Sequence, residues 1–224
     1  MLLLLNLVVN LKDREKLDNL MANVLDFTGY RTVNLDDDWN SIQPEDFSHL
    51  VLTGSEASAS EDNPWDSRLL KFTRQALKDQ KSILGICYGH QMLAKAIGDN
   101  PVVRRATNPE LGYYHIELTD DELFRGLDNP VFAQSHFDEV AFAPPDCTSI
   151  ASNENRSVQG FRLIGKHVWG LQFHPEFDFT FAENLYADVF NNHPELQQLY
   201  NEIQESPEHL LQNRLIYRNF LETE

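Results

Sequence analysis

The sequence predicts a three-layer α/β protein, in which a mixed and mostly parallel central sheet carries helices on both faces. Short apolar runs alternate with segments of helical periodicity through the first half of the chain, as in strands joined by crossover helices. With 224 residues, 42% of them hydrophobic, the chain is long enough to bury the core of one large domain. We therefore expect one sheet to form the framework of the molecule.

The amino-terminal half supplies the predicted parallel strands. The first is the apolar run Leu2 to Val9, which is too short to span a bilayer and lacks the basic start of a signal peptide. Residues with helical spacing follow and end at Gly29, and the next strands are predicted at 30–35 and 49–53. A second helix is predicted from Asp66 to Lys78, where apolar residues again recur on one face.

The carboxy-terminal half has shorter and more alternating segments. These predict antiparallel strands at residues 113–118, 131–134, 139–142 and 157–164, which makes the sheet mixed. From Pro194 onward, apolar stripes at helical spacing predict helices. We expect one domain over residues 1–190 and a helical extension over residues 191–224 that packs on the same domain, with a partner-binding arm as the alternative.

The most informative segment is residues 85–89, Gly-Ile-Cys-Tyr-Gly, which places Cys87 between a predicted strand at 82–86 and a predicted helix at 91–97. This G-x-C-x-G spacing matches, with sulfur, the G-x-S-x-G nucleophile elbow, in which small neighbours allow a strained central residue. A helix amino terminus beside the thiol favours the thiolate and can stabilise an oxyanion. The pattern predicts a nucleophile for acyl transfer, and a buried structural cysteine is the alternative.

A second segment offers a base and a carboxylate. Residues 168–173 have the pattern of a strand, and His174 and Glu176 follow it on either side of Pro175. Because alternate residues of an extended segment point the same way, the Glu176 carboxylate can orient the His174 imidazole, as in a catalytic triad. Alone these residues would more often form an ordinary loop. Together with Cys87 they complete a Cys-His-Glu set.

Composition narrows the possible partners. The formal net charge of −17 disfavours nucleic acids and anionic membranes, since both carry negative charge. The eight histidines show no ligand spacing, so we expect no metal site, and no motif predicts a cofactor. The chain has two cysteines, Cys87 and Cys147, which argues against a disulfide framework and for a reducing, cytoplasmic setting.

In its motifs the chain resembles the class I, triad-type glutamine amidotransferases, and among them the free-standing proteins similar to the glutaminase domain of GMP synthetase. The resemblance runs from the first strand to about residue 190 and rests on G-x-C-x-G-x-Q at 85–91 and His-Pro-Glu at 174–176. It implies a flavodoxin-like sheet and hydrolysis of a γ-glutamyl amide. The nucleophilic, proton-transferring and orienting roles then belong to Cys87, His174 and Glu176.

The same resemblance assigns contacts with the substrate. The backbone N–H groups of Gly54 and Tyr88 match the oxyanion donors, and Gln91 matches a glutamine that contacts the amino-acid end of the substrate. The stretch that binds the substrate's α-amino and carboxylate groups, largely through main chain, corresponds to Ser135, His136 and Phe137.

The chain departs from the family at the turn after Gly54, where Ser55 and Glu56 replace a glycine and a proline. Without the rigid proline, we expect this loop to be more adaptable. The segment Glu110-Leu111-Gly112 also matches the family pattern, and no physical role for it follows from the sequence.

Neither a G-x-x-x-x-G-K-[ST] phosphate loop nor a glycine-rich ATP-pyrophosphatase motif occurs in the chain, so it shows no means of activating an ammonia acceptor. The first interpretation is an amidotransferase subunit that hydrolyses glutamine and passes ammonia to a separate synthetase. The second is a free-standing γ-glutamyl peptidase or hydrolase, because the same acyl-enzyme serves any leaving amine. The third is a non-catalytic regulatory or binding relative, against which the complete Cys-His-Glu set argues.

Overall fold

The computed structural model describes residues 1–98, 102–128, 131–202 and 207–223. Its helices are α1 (Leu11–Val24), α2 (Asp66–Lys78), α3 (Tyr88–Ile97), α4 (Phe179–Asn192) and α5 (Leu215–Leu221). Its strands are β1 (Leu2–Asn6), β2 (Tyr30–Asn34), β3 (His49–Leu52), β4 (Ser82–Ile86), β5 (Val103–His115), β6 (Glu117–Leu118), β7 (Val131–Val140), β8 (Cys147–Asn153), β9 (Arg156–Leu163), β10 (Val168–Leu171) and β11 (Tyr200–Asn201).

The larger sheet, as far as the described ranges extend, has eight strands in the order β2-β1-β3-β4-β10-β9-β8-β6. The pairs from β2 to β10 are parallel, and the pairs from β10 to β6 are antiparallel. The predicted mixed, mostly parallel sheet is therefore confirmed.

Side-chain alternation along the buried strands divides the core into two layers. In β1, Leu2 and Leu4 pack on one face of the sheet, and Leu3 and Leu5 pack on the other. Residues of α1, α4 and α5 cover the first face, and residues of α2 and α3 cover the second. Because both faces are buried, β1 can begin with four consecutive leucines, residues 2–5.

A second, smaller sheet corrects part of the prediction. In the described residues it has the strand order β11-β5-β7, with β5 and β7 antiparallel. The predicted strands at 131–134 and 139–142 are one continuous strand, β7, and this strand pairs with β5 instead of joining the main sheet. The predicted strand at 113–118 is the end of the longer β5 followed by β6.

The tail is less helical than its apolar stripes predict. Two 3-10 segments, Pro194–Leu199 and Pro207–Arg214, precede the short helix α5. Ile216, Tyr217 and Phe220 of α5 are buried in the same layer as α1 and α4.

The division into a domain over residues 1–190 and an extension over residues 191–224 stays a prediction, and residues 203–206 and 224 of that extension lie outside the described ranges. Among the helices that the structure describes, none is both long and apolar enough to cross a bilayer. A search of the same ranges finds no group of three or more His, Cys, Asp or Glu side chains arranged to hold a metal ion.

Candidate active site

The predicted site residues lie where neighbouring parallel strands end. β3, β4 and β10 are adjacent, Leu171 is paired with Ile86, and the Cys87 N–H donates to the Leu171 carbonyl at 2.8 Å. Gly54, Cys87 and His174 follow these strand ends within a few residues. Ligands of open α/β sheets bind at such a carboxyl edge.

Cys87 occupies a strained turn between β4 and α3. Its backbone has φ +49° and ψ −105°, which is unfavourable for a residue with a side chain. A Cβ atom on Gly85 would lie 2.6 Å from the Gly89 carbonyl oxygen, and a Cβ atom on Gly89 would collide with the Leu52 carbonyl of β3. The two glycines therefore let α3 begin directly against β3 and β4, which is the packing that the G-x-C-x-G spacing predicts.

The His174 imidazole is fixed on two sides. Its Nδ1 lies 2.7 Å from Glu176 Oε1, and its ring stacks on Phe177 with a centroid distance of 4.0 Å and an interplanar angle of 10°. The His174 N–H also donates to the Ala133 carbonyl of β7 at 3.0 Å. Because an ionised carboxylate only accepts hydrogen bonds, Nδ1 carries a proton and Nε2 remains for another partner.

The approach to His174 differs from the predicted one. β10 ends at Leu171, two residues before the predicted strand end, and Gln172 and Phe173 form a bend. The bend still brings His174 and Glu176 to one side of the chain, since they are hydrogen-bonded to each other.

The charges around His174 favour its protonated form. Burial opposes protonation, but the Glu176 carboxylate and the neighbouring Cys87 outweigh it and raise the pKa of His174 well above its ordinary range. A protonated imidazole is therefore the favoured state of His174 at neutral pH. Such a group can both stabilise a thiolate and donate a proton.

Gly54 and Tyr88 lie on either side of the thiol. A Cβ atom on Gly54 would be 3.0 Å from His174 Cε1 and 3.5 Å from Cys87 Cβ, so the missing side chain leaves space beside the base and the sulfur. Tyr88 is the first residue of α3, and its N–H therefore has no acceptor within the helix. Their roles as oxyanion donors stay predictions that this arrangement permits.

The loop after Gly54 is held by Glu56. The Glu56 carboxylate accepts hydrogen bonds from the N–H groups of Val9 at 3.2 Å and Asn10 at 2.5 Å. The Ser55 hydroxyl donates to the same carboxylate at 3.3 Å. These bonds link the loop to the segment between β1 and α1. The greater adaptability of the loop stays a prediction.

Ser135, His136 and Phe137 lie in β7 with alternating side-chain environments. Ser135 and Phe137 are partly exposed, and His136 is buried. The Ser135 carbonyl oxygen lies 3.8 Å from Cys87 Sγ, so the main chain of β7 borders the thiol. The imidazole of His136 is occupied inside the protein, which leaves its main chain for the predicted contact with substrate.

The partner of His136 is Glu110, the residue for which the sequence suggested no role. The fully buried Glu110 accepts through Oε2 from His136 Nε2 at 2.9 Å and Gln159 Nε2 at 2.7 Å. Its Oε1 accepts from Asn153 Nδ2 at 2.7 Å and Asn155 Nδ2 at 2.9 Å. Burial alone would raise the pKa of Glu110, but these donors and nearby positive charge lower it to about 2. Glu110 thus fastens β5 to β7 and β9.

Gln91 is held at the base of the site. Its Nε2 donates to the Asp138 carbonyl at 3.0 Å and to Gln172 Oε1 at 3.1 Å. The Asp138 carboxylate accepts from the hydroxyls of Ser58 at 2.6 Å and Ser60 at 3.0 Å, which fastens their loop to the end of β7. Sequence reasoning assigned no role to Asp138 or Gln172, although each directly adjoins a motif that it did use.

A cavity of about 290 Å³ joins these residues. Cys87, His174 and Gln91 lie on its wall, and Arg105 stands near its rim with the guanidinium 5.5 Å from the centroid of the Phe137 ring. The loop at 54–58 and residues 135–138 of β7 form a mostly polar part of the wall. An apolar part comes from α1, α4 and the segment before α4, and consists of Leu17, Phe177, Phe181, Leu185 and Val189.

Sequence comparison identifies a family over most of the chain. The family model described as glutamine amidotransferase class-I matches residues 18–192. The glutamine-hydrolyzing GMP synthase subunit of Sulfolobus acidocaldarius is 32% identical over 166 residues, which cover 73% of this chain and 85% of that protein. The protein of the same name from Sulfurisphaera tokodaii is 40% identical over 106 residues, 46% of this chain and 55% of that protein. In that match the chain spans about half the length of the relative.

Solved structures share the fold. A glutamine amidotransferase from Thermotoga maritima superposes with a TM-score of 0.75 at 23% identity, covering 99% of this chain and 96% of the other. A putative GMP synthase subunit from Thermoplasma acidophilum gives a TM-score of 0.68 at 25% identity, covering 99% and 92%. The predicted fold class is therefore confirmed over nearly the whole chain.

Proposed function

Because the chain belongs to the class I glutamine amidotransferase family, we propose that it hydrolyses the side-chain amide of glutamine and delivers the ammonia to a separate acceptor enzyme. One observation carries this proposal. A cysteine at a strained strand-to-helix turn lies beside a histidine whose Nδ1 is 2.7 Å from a buried carboxylate. Relatives such as the Sulfolobus acidocaldarius protein carry a name that states glutamine hydrolysis.

In the first half-reaction, the Cys87 thiolate attacks the side-chain carbonyl carbon of glutamine. The carbonyl oxygen becomes an oxyanion that the N–H groups of Gly54 and Tyr88 stabilise. The tetrahedral intermediate collapses, the carbon–nitrogen bond breaks, and the His174 imidazolium protonates the departing nitrogen. The products are ammonia and a γ-glutamyl thioester on Cys87.

In the second half-reaction, water replaces ammonia. Neutral His174 removes a proton from water, and the resulting hydroxide attacks the thioester carbonyl. Collapse of the second tetrahedral intermediate breaks the carbon–sulfur bond, which regenerates the Cys87 thiolate and releases glutamate. Glu176 keeps the imidazole oriented in both half-reactions and stabilises its positive charge.

Substrate recognition is proposed for the residues around β7. Ser135 and Phe137 line the cavity, the Ser135 carbonyl oxygen lies 3.8 Å from Cys87 Sγ, and the Asp138 and Glu110 networks hold this strand in place. Gln91 contacts the amino-acid end of glutamine from the base of the cavity.

The acceptor of ammonia is proposed to be a separate synthetase subunit. The chain contains no recognisable motif for activating an acceptor, and several relatives are named as glutamine-hydrolyzing subunits of GMP synthase. The formal net charge of −17 favours a partner with a basic face.

A free-standing γ-glutamyl peptidase is the second candidate, and the apolar wall of the cavity favours it. Ammonia needs no apolar surface, whereas Leu17, Phe181 and Leu185 could hold the carbon skeleton of a larger leaving amine.

Steady-state rates of the purified chain with glutamine and with a γ-glutamyl dipeptide separate the two candidates. The proposal predicts release of glutamate and ammonia in equal amounts from glutamine, and no release by Cys87→Ala. A dipeptide rate more than about tenfold above the glutamine rate would favour the peptidase, since roughly 1.4 kcal/mol then favours the larger leaving group. Glutamate release from neither substrate would overturn both candidates.

A further inference from the structure

We infer that Tyr217, on the carboxy-terminal helix α5, is a positioning residue that holds the Glu176 carboxylate toward His174. The inference rests on the proposed function, because it takes His174 and Glu176 to be the base and its orienting carboxylate. α5 (Leu215–Leu221) follows the residues matched by the family model, 18–192. The site would therefore be completed by a segment outside that match.

The two oxygens of Glu176 have different partners. Oε1 lies 2.7 Å from His174 Nδ1, and Oε2 accepts a hydrogen bond from the Tyr217 hydroxyl at 3.4 Å. Glu176 is 2% exposed and Tyr217 is 1% exposed, so bulk water does not replace either bond. A buried ionised carboxylate requires such donors, because an unpaired one is costly.

The second donor also restricts rotation. The terminal torsion of a glutamate side chain is broad, so a carboxylate with one hydrogen bond can swing about it. A donor at Oε2 fixes the carboxylate plane while Oε1 faces His174. The position of the imidazole relative to Cys87 then depends on a hydroxyl 41 residues away along the chain.

Neighbouring side chains of α5 anchor the helix that carries this hydroxyl. Asn219 Nδ2 donates to the Leu123 carbonyl at 2.9 Å and to the Arg125 carbonyl at 2.8 Å. Phe220 is fully buried. Burial, together with the adjacent Glu176 carboxylate, raises the pKa of Tyr217 well above its ordinary range, so the phenol remains a donor.

A simple packing role for the Tyr217 ring makes a different prediction, and Tyr217→Phe separates the two. This substitution keeps the ring and removes only the hydroxyl. The matched control is Tyr113→Phe, because the Tyr113 hydroxyl also donates to a carboxylate, Glu183 Oε1, at 2.9 Å, and Tyr113 is 2% exposed. Glu183 belongs to neither the triad nor the cavity wall.

Two pH profiles are measured on the full chain and both variants. The first is kcat for glutamine, and the second is the rate at which iodoacetamide alkylates Cys87, followed by mass spectrometry of the Cys87 peptide. Burial raises the pKa of Cys147 to about 12, so Cys147 reacts slowly in this assay. The alkylation profile reports on the His174–Cys87 pair without requiring turnover.

For Tyr217→Phe we expect kcat to fall about tenfold, the effect of losing roughly one hydrogen bond, with KM changed by less than about twofold. The hydrogen bond from Tyr217 favours the ionised form of Glu176, so without it Glu176 should take up a proton at higher pH and lose its contact with the protonated His174. The acid limbs of both profiles should therefore move to higher pH by roughly 0.5 to 1 unit. Tyr113→Phe should leave both acid limbs in place.

Unchanged acid limbs in Tyr217→Phe would overturn the inference, as would equal effects of the two substitutions. If the wild-type chain does not hydrolyse glutamine, the proposed function fails, and the alkylation profile still tests the link from Tyr217 to Cys87. If glutamine is hydrolysed and both Tyr217→Phe profiles match the wild type, the inference alone fails.

Discussion

Replacement of Glu110 by glutamine tests whether a buried carboxylate holds β7, the strand that we propose to bind substrate. Glu110→Gln preserves the volume of the side chain but converts one carboxylate oxygen into an amide NH₂ group. Each oxygen of Glu110 accepts two hydrogen bonds, from His136 and Gln159 at one and from Asn153 and Asn155 at the other. If the NH₂ group replaces Oε1, it faces the Asn153 and Asn155 donors. If it replaces Oε2, it faces the Gln159 donor and His136, whose Nδ1 can donate to the Asp138 carbonyl while Nε2 accepts. In either orientation at least one amide donor loses its acceptor.

The magnitude follows from the one or two lost bonds. At about 1.5 kcal/mol for each hydrogen bond to a charged group, the free energy of unfolding falls by roughly 1.5–3 kcal/mol. In a chain of this size, 1 kcal/mol shifts Tm by about 2–4 °C, so Tm should fall by roughly 3–12 °C. Asn155→Ala, which removes one donor from an exposed residue, should lower Tm by only about 2–4 °C.

Differential scanning calorimetry at neutral pH measures both variants, and glutaminase kinetics well below Tm measure the effect on the site. We expect Glu110→Gln to raise KM for glutamine, because Ser135 and Phe137 lie on the strand that His136 connects to Glu110. A Tm within about 2 °C of the wild type would refute the reasoning, since it would mean that a buried amide donor loses its acceptor without cost.

Three further predictions follow from the geometry. His174→Ala should lower kcat by about 10²–10⁴-fold, and Glu176→Gln should lower it less; equal losses in steady-state assays would exclude a purely orienting role for Glu176. Gly89→Ala should lower the urea midpoint strongly, because the added Cβ meets the Leu52 carbonyl, and an unchanged midpoint would be inconsistent with the tight turn. Burial lowers the pKa of His136 in the folded protein, so as the pH falls the unfolded chain takes up a proton at His136 before the folded chain does. The stability that neutral His136 contributes is therefore complete above about pH 6.5 and should decline below it. Because the raised pKa of His174 acts in the opposite direction, the wild type is compared with His136→Gln, and an equal change of the urea midpoint between about pH 7 and about pH 5 in the two proteins would contradict this sign.

The strained turn at Cys87 could be predicted because its signal is local. Gly85, Cys87 and Gly89 lie within five residues, and their spacing reflects the close approach of α3 to β3 and β4. The parallel strands were equally visible, since burial on both faces produces continuous apolar runs.

The second sheet was harder to predict because its strands do not alternate regularly. β5 contains a register shift between Arg105 and Glu110, which encloses Asn108 and Pro109, residues typical of turns. In the larger sheet, β8 was not predicted because it is mostly polar, and only Ile150 and Ala151 are buried in it.

The supporting residues of the site could not be predicted because their partners are distant in sequence. Glu110 contacts His136 across 26 residues, and Tyr217 contacts Glu176 across 41. The contacts of Glu56 could not be predicted for a related reason, since its bonds to Val9 and Asn10 depend on the packing of separate loops. The pattern of a single sequence shows periodicity, but it does not show which distant residues contact each other.

Covalent labelling of the nucleophile tests the central claim most directly. The purified chain is treated with a glutamine-like electrophile, with and without excess glutamine, and its peptides are analysed by mass spectrometry. The account predicts one adduct on Cys87, protection by glutamine, and glutaminase activity that survives in Cys147→Ala but not in Cys87→Ala. An adduct confined to Cys147, or hydrolysis of glutamine by Cys87→Ala, would contradict it.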